Sequence, residues 1–321
     1  MKFLVIGDIH MDDRSPVNRA DDYMESMFAK LEECGNTARL RAVDFVILTG
    51  DIFNTKQSSK VSHNLVRRMM ETLKVFGCPI YTAVGNHDIV SARLDSLIKQ
   101  PLGVLQEAGV LQILGTYPKC ATISGNVCIS AIHGLPNVKL QDYFIEKKPE
   151  GCDFYIMVCH SEMLKERMPF LDNQVTFDML YGSKVDYYVG GHIHDDIGVF
   201  KHGDQYFTNI GALSRGSVSE YNLKRKVGIL LVEVDFSTGK AVPTFERINL
   251  KSALSIEAVF KMKDVIELKR QTQEFDNFAE KLKEEIGQLE YSDIKDLLHY
   301  LCKSSNIDEK IYKKALEYLN K

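Results

Sequence analysis

Five short apolar runs, each closed by a small polar cluster, limit what this chain can fold into. Lys2-Phe3-Leu4-Val5-Ile6-Gly7 leads into Asp8-Ile9-His10. Asp44-Phe45-Val46-Ile47-Leu48-Thr49 leads into Gly50-Asp51, and Pro79-Ile80-Tyr81-Thr82-Ala83-Val84 into Gly85-Asn86-His87-Asp88. Asp153-Phe154-Tyr155-Ile156-Met157-Val158-Cys159 ends at His160, and Asp186-Tyr187-Tyr188-Val189-Gly190 ends at Gly191-His192-Ile193-His194. Such runs, bounded by turn residues, read as buried strands. In open α/β sheets, ligands bind outside the carboxyl ends of the strands. Five strand ends are therefore expected to bring two Asp, one Asn and four or five His to one rim. That donor set suits a pair of divalent metal ions, and a metal pair suits phosphate-ester cleavage.

Helical patterns separate the runs. Met24, Met27, Phe28 and Leu31 recur at the spacing of one helix stripe, and Val61, Leu65, Met69 and Leu73 repeat it before Gly77 and Pro79 stop it. Alternating strands and helices up to about residue 195 favour a mostly parallel, covered sheet. Short strands follow over 197–201, 205–210, 227–235 and 243–250, separated by turns such as His202-Gly203-Asp204. This texture predicts a second sheet or a β-rich cap. From about residue 252, Val265, Leu268, Thr272, Phe275, Ala279, Leu282, Ile286 and Leu289 keep a 3–4 spacing, and shorter patterns follow around Ile294–Leu301 and Ile311–Leu319. These helices either pack back on the domain or form a docking arm for another protein, since an apolar stripe must be buried somewhere.

Composition excludes several classes. With 45% hydrophobic and 26% charged residues the chain is an ordinary globular sequence. No apolar run approaches the roughly 20 residues of a membrane span, and the run at Phe3–Ile6 is too short for a signal-peptide core, so a cytoplasmic protein is expected. Seven scattered cysteines without a C-x-x-C pair read as reduced thiols. A net charge of −4 gives no global signal for nucleic acid. Contact with DNA would need a local patch, and Arg215 with Lys224-Arg225-Lys226 is the best one. The same stretch also reads as an ordinary solvated turn.

Each cluster alone is weak. A single His at a strand end usually serves structure, and Gly-Asp is often only a turn. The coincidence carries the weight, since five of the nine histidines fall in the clusters. His63, His202 and His299 are background, and His133, at another strand end, is expected to be structural.

D-x-H, GD, GNHD, a lone His and GHxH in this order resemble the calcineurin-like metallophosphoesterase superfamily over roughly residues 1–210. The resemblance implies an α/β sandwich: two stacked β-sheets flanked by helices. It implies that Asp8, His10 and His194 hold one metal, that Asn86, His160 and His192 hold a second, and that Asp51 bridges both. His87 would act as general acid or as a charged clamp on the phosphate. Asp88 is expected to orient His87. Manganese is the expected ion, because the ligands mix imidazole with oxygen.

Within the superfamily, Gly50-Asp51-Ile52-Phe53-Asn54-Thr55 lacks the Arg-bearing GDxVDRG of the protein Ser/Thr phosphatases, and Gly85-Asn86-His87-Asp88 differs from their GNHE. The opening Met1–His10 segment, the Gly50–Phe53 segment and Asn209-Ile210-Gly211-Ala212-Leu213-Ser214-Arg215 resemble instead the SbcD-type double-strand-break repair nucleases. That likeness implies DNA as substrate, an SMC-like ATPase of the SbcC type docked on the C-terminal helices, and a homodimer. The chain departs from it at Asn54, where some members carry a proton-transferring His. Little sequence remains after Leu250 for a large cap, which fits a compact version such as a phage recombination nuclease subunit. The expected organisation is a nuclease core over 1–210, the remainder of the second sheet or a reduced cap over 211–251, and a helical arm over 252–321. The alternatives are a small-molecule or cyclic-nucleotide phosphodiesterase and a non-catalytic scaffold of the same fold.

Overall fold

Alternation along β1 (Lys2–Ile6) sets the layering of the computed structural model, which describes residues 1–123, 126–168 and 174–286. Successive side chains of a strand point to opposite faces. Phe3 and Val5 pack into one core and Leu4 and Ile6 into another, and all four are fully buried. A strand covered on both faces reads as a continuous apolar run, which is why this one was visible in the sequence.

β1 lies in a six-stranded sheet with β2 (Phe45–Leu48), β3 (Ile80–Thr82), β4 (Gln112–Ile113), β13 (Gly228–Asp235) and β14 (Val242–Asn249), in the order β14-β13-β1-β2-β3-β4. β1 to β4 run parallel, and β13 is antiparallel to β1. The second six-stranded sheet has the order β11-β12-β10-β7-β6-β5. Its strands are β5 (Ala121–Ile123), β6 (Val127–Ile132), β7 (Phe154–His160), β10 (Tyr187–Gly191), β11 (Asp196–His202) and β12 (Gln205–Ile210). A short parallel pair, β8 (Met163–Leu164) and β9 (Val175–Thr176), stands apart.

The sheets stack face to face. Phe3, Val5, Phe45 and Ile47 of the first sheet share a core with Ile129, Phe154, Ile156, Val158, Tyr187 and Val189 of the second. Phe3 and Phe45 stack with ring centroids 4.7 Å apart. The outer face of the first sheet is covered by α1 (Tyr23–Leu40), α2 (His63–Lys74) and α3 (Pro101–Glu107) through Met27, Phe28, Leu31, Leu65, Met69, Leu73 and Leu102. Burying each such side chain contributes about 1.5–3 kcal/mol. Asp22 caps α1 by accepting from Glu25 N–H, and Ser62 caps α2 by accepting from Leu65 N–H. The outer face of the second sheet packs Tyr155, Met157 and Phe207 against Phe177, Leu180 and Tyr143, the last from the short α4 (Leu140–Tyr143).

Two expectations change. The five strand ends come from two sheets, not one: β1, β2 and β3 from the first, β7 and β10 from the second. Residues 211–251 form neither a cap nor an extension of the second sheet. After α5 (Glu220–Lys224), β13 and β14 complete the first sheet beside β1. The physical reason is that Ile229 and Leu231 fill the helix-covered face while Leu230, Val232 and Val234 fill the inter-sheet core, so β13 is apolar on both sides.

One compact unit runs from Met1 to Phe260. It includes α6 (Ile256–Val259), whose Val259 carbonyl accepts from Ala20 N–H, so the segment from 252 to 260 belongs to the core and not to an arm. The second unit, Lys261–Lys321, begins with α7 (Met262–Ile286), where the sequence stripe had placed a long helix. The patterns around Ile294–Leu301 and Ile311–Leu319, and Cys302, lie outside the described residues. Among the described residues, no helix is long and apolar enough to cross a membrane.

Candidate metal centre

The carboxyl ends of β1, β2, β3, β7 and β10 meet at one rim of the stacked sheets. Backbone approach there is unusually close. A Cβ on Gly85 would fall 2.0 Å from Asp51 Oδ1, and one on Gly50, whose φ is +114°, would fall 2.5 Å from His160 Nδ1. No other residue fits at these two positions. Three candidate ligands hold left-handed backbone: His10 (φ 55°), Asp51 (φ 46°) and His192 (φ 71°). Each such conformation costs on the order of 1–3 kcal/mol and persists only where the surroundings enforce it, typically at functional sites.

The side chains form two adjoining groups. His10 Nε2 lies 2.9 Å from His194 Nε2, and His194 Nε2 lies 3.8 Å from Asp8 Oδ2. On the other side, Asn86 Oδ1 lies 3.1 Å from His160 Nε2 and 3.0 Å from His192 Nδ1. Asp51 stands between them. Its Oδ2 is 3.7 Å from His10 Nε2 and 3.3 Å from His160 Nε2, while its Oδ1 accepts from His87 N–H at 2.7 Å. Ligand atoms of Asp8, His10 and His194, of His10, Asp51 and His87, and of Asp51, His160 and His192 each lie within 4.8 Å of one another. Asp8 is fixed by Thr49 Oγ1, which donates at 2.5 Å, and by His192 N–H, which donates at 2.8 Å. The floor of the site is buried, whereas Asn86, His87 and His192 are half-buried and His194 is exposed.

The donor set fits divalent transition ions, which take imidazole nitrogen and carboxylate oxygen together. His10 Nδ1 is buried without a hydrogen-bond partner, so this ring has donor capacity that no protein group uses. Electrostatics separates the rings. Burial lowers His10 to about 4, outweighing Asp51 and Asp8. Burial also lowers His192. His160 goes the other way: burial opposes its charge, but Asp51 and Asp8 outweigh it and raise it to about 9. Asp51 is held well below the usual carboxylate range, since His160, His10 and His87 overcome the burial that would raise it.

Asp88 is not where the sequence placed it. Its carboxylate accepts from Gly85 N–H at 2.9 Å, Ile52 N–H at 3.0 Å and Phe53 N–H at 3.2 Å, and so ties the turns after β2 and β3 together. Burial, then the charge of Asp51, pushes it up to about 7 against the hydrogen bonds from Gly85 and Phe53 N–H. The ring of His87 is instead anchored by Asn54, whose carbonyl oxygen lies 2.5 Å from His87 Nδ1. No local sequence signal pointed to this contact, because it uses a backbone atom. His133 accepts from Val84 N–H at 3.1 Å and braces the end of β3 from the second sheet.

The proposed DNA patch divides. Lys224 and Lys226 are exposed. Arg215 and Arg225 are only 6% and 9% exposed and turn inward. Arg225 donates to Ala212 O at 2.6 Å, to Ser214 O, and to Asn222 Oδ1 at 2.8 Å. Arg215 donates to Arg225 O at 2.6 Å and Leu254 O at 3.0 Å. Both guanidinium groups satisfy backbone carbonyls outside the sheets, and those that Arg225 reaches belong to the irregular 212–214 loop. That loop in turn supports the site, as Leu213 N–H donates to Asp8 O at 2.8 Å and Ala212 N–H to His194 O at 3.2 Å. Two of the four residues are therefore structural, and Lys224 and Lys226 remain as surface cations.

A profile of the calcineurin-like phosphoesterase family matches residues 1–196. The chain is similar to the DNA double-strand break repair protein Mre11 of Methanosarcina mazei, 28% identical over 229 residues that make up 68% of this chain and 34% of that protein. It is similar to the protein of the same description from Sulfurisphaera tokodaii, 23% identical over 327 residues, with 99% of this chain and 78% of that protein covered. For the Methanococcus maripaludis counterpart the figures are 26% over 239 residues, 71% and 61%. The chain thus spans about a third of the Methanosarcina protein and under two thirds of the Methanococcus one. A crystal structure of a dimetal phosphatase from Danio rerio resembles it at a TM-score of 0.48 and 12% identity, over 78% of this chain and 98% of that one. The family match covers more than half of the chain and takes in all five strand ends that build the site, so this chain belongs to the calcineurin-like phosphoesterase family.

Proposed function

We propose that this phosphoesterase is a DNA nuclease that cleaves phosphodiester bonds with two divalent ions at the rim between its sheets. The observation that carries the reading is Asp51 Oδ2, set between the His10 and His160 nitrogens and so placed to serve two ions at once. Asp8, His10 and His194 would hold one ion, and Asn86, His160 and His192 the other. Bound there, the ions supply an acidified water at neutral pH and offset charge on the phosphoryl oxygens. The remaining work falls to the chain's own groups. The Asn54 carbonyl fixes His87 Nδ1 and leaves Nε2 to face a substrate oxygen, as an acid for the leaving group or a clamp on the phosphate. Manganese suits the mixed imidazole and oxygen donors.

DNA as the substrate is supported by the description shared by three relatives, double-strand break repair proteins. The resemblance to the SbcD-type nucleases further implies that the segment 261–321, which begins with α7, docks an SMC-like ATPase and that the chain works as a homodimer, and Lys224 with Lys226 would contact DNA phosphates. The test is cleavage of blunt duplex and single-stranded DNA by the purified chain with Mn²⁺, with and without a chelator. Chelator-sensitive cleavage is the expected result. His87→Ala should keep its metal content and lose about 10²–10⁴-fold in rate, the usual range for a general acid. Hydrolysis of cyclic nucleotides with both DNA substrates left intact would reassign the chain to small-molecule phosphodiesterases.

A further inference from the structure

His87 enters the site from a turn, and two contacts fix it. Asp51 Oδ1 holds its backbone N–H, and the carbonyl of Asn54 holds its ring. A carbonyl only accepts, so Nδ1 carries the proton and Nε2 is the nitrogen turned to the rim. The aim of the ring therefore depends on where the 53–55 turn sits. That turn belongs to no long strand. Phe53 makes an isolated bridge with Met11, and Asn54 N–H donates to Met11 O at 2.9 Å. The side chain adds a third tie: Asn54 Nδ2 donates to Asp12 Oδ2 at 2.8 Å. Asp12 is 3% exposed, and its other oxygen accepts from Arg14 N–H at 3.0 Å. The segment that carries His10 thus also grips the turn that aims His87.

We infer that Asp12 is a positioning residue for His87, acting through Asn54. The inference rests on the proposal above that His87 acts on the substrate. It also gives position 54 a definite task. Its amide faces Asp12 and its carbonyl faces His87, so Asn54 serves the proton-carrying ring without itself transferring a proton.

The test exchanges the pair. In Asn54→Asp two carboxylates face each other with no donor between them, and the turn loses its side-chain tie while its backbone ties to Met11 remain. In Asp12→Asn/Asn54→Asp the donor and acceptor trade places, and the new amide at position 12 keeps an oxygen for Arg14 N–H. The full chain is assayed on single-stranded DNA with Mn²⁺, and metal content is measured in parallel. Asn54→Asp is expected to lower kcat roughly 10- to 100-fold, the range for a misplaced catalytic group, with KM and bound metal within about twofold. The exchanged pair should recover to within about threefold of the unsubstituted chain. An unchanged kcat in Asn54→Asp, or an exchanged pair as slow as the single variant, overturns the inference. The second result would also arise if the Asn54 amide touched substrate directly. Should Asn54→Asp fail to fold, Asn54→Ala replaces it with the same expectation of a loss confined to kcat. The His87 Nδ1–H resonance in ¹⁵N-histidine spectra reads the anchoring without any assay. It should vanish in the single variant and return in the exchanged pair, so an inactive unsubstituted chain would sink the nuclease reading alone.

Discussion

Lys30 and Arg225 are cations enclosed by the fold, and each supports the loop behind Asp8. Lys30 Nζ donates to Leu213 O at 3.2 Å. Burial, then the charges of Arg19, Arg215 and Arg225, lower its ammonium from 10.5 to about 7. Between pH 7 and 10.5 the unfolded chain therefore binds more protons at this site than the folded one, and stability rises with pH across that window. Lys30→Met keeps most of the packing and removes the penalty. It should raise the Tm at pH 7.5, and the advantage should shrink by on the order of 2 kcal/mol by pH 9.5. Melts at the two pH values check it, and an advantage that grows with pH would refute it. Arg225→Lys keeps the charge but loses the fork that reaches two carbonyls and an amide. A loss of about 2–4 kcal/mol in chemical denaturation is expected, with no change in the salt slope of DNA binding. The role of Arg225 was illegible in the sequence, because a run of basic residues does not reveal which side chain turns inward, and Lys30 carried no sign because a lone Lys on a helix is ordinarily solvated.

Among the elements, legibility followed burial. β1, β7 and β10 carry apolar side chains on both faces, and their limits were readable to within a residue or two. The stripes of α1 and α2 were equally plain. β4, β8 and β9 have two residues each, too few for any period to show. The site residues were legible as residue types at strand ends, but their left-handed backbone at His10, Asp51 and His192 was not, since propensity argues against it. The role of Asp88 differs for a related reason: sequence adjacency to His87 suggests a contact, whereas the Asp88 carboxylate is taken up by three backbone N–H groups and the His87 ring by the Asn54 carbonyl. One boundary yields a prediction. Because Met1–Phe260 is a compact unit, removing residues 261–321 should leave metal-dependent hydrolysis of bis(p-nitrophenyl) phosphate within about twofold and, on the proposed docking role, abolish capture of an SMC-like ATPase. Loss of the cooperative melt on truncation would show that the tail is part of the core.

At the level of the whole molecule, the site exists only where both sheets are in register, since Asp8, Asp51 and Asn86 come from one sheet and His160 and His192 from the other. A cation held at this rim ties the layers together and binds the folded state alone. Linkage then requires stabilisation of about 2.7 kcal/mol at a hundredfold excess over the dissociation constant, for each independent ion. Thermal melts with increasing Mn²⁺ should rise accordingly and fall back on chelation, and calorimetric titration should count two ions per chain. Asp51→Asn removes the one carboxylate placed between the two groups, and it leaves Oδ1 to accept from His87 N–H. It should reduce the count to one or none, abolish turnover, and lower stability without metal, because the buried carboxylate that offsets the charge on His160 is exchanged for a neutral amide. A substituted chain that still binds two ions and turns over would mean that the groups on either side of Asp51 act independently, and the bridging assignment would have to be abandoned.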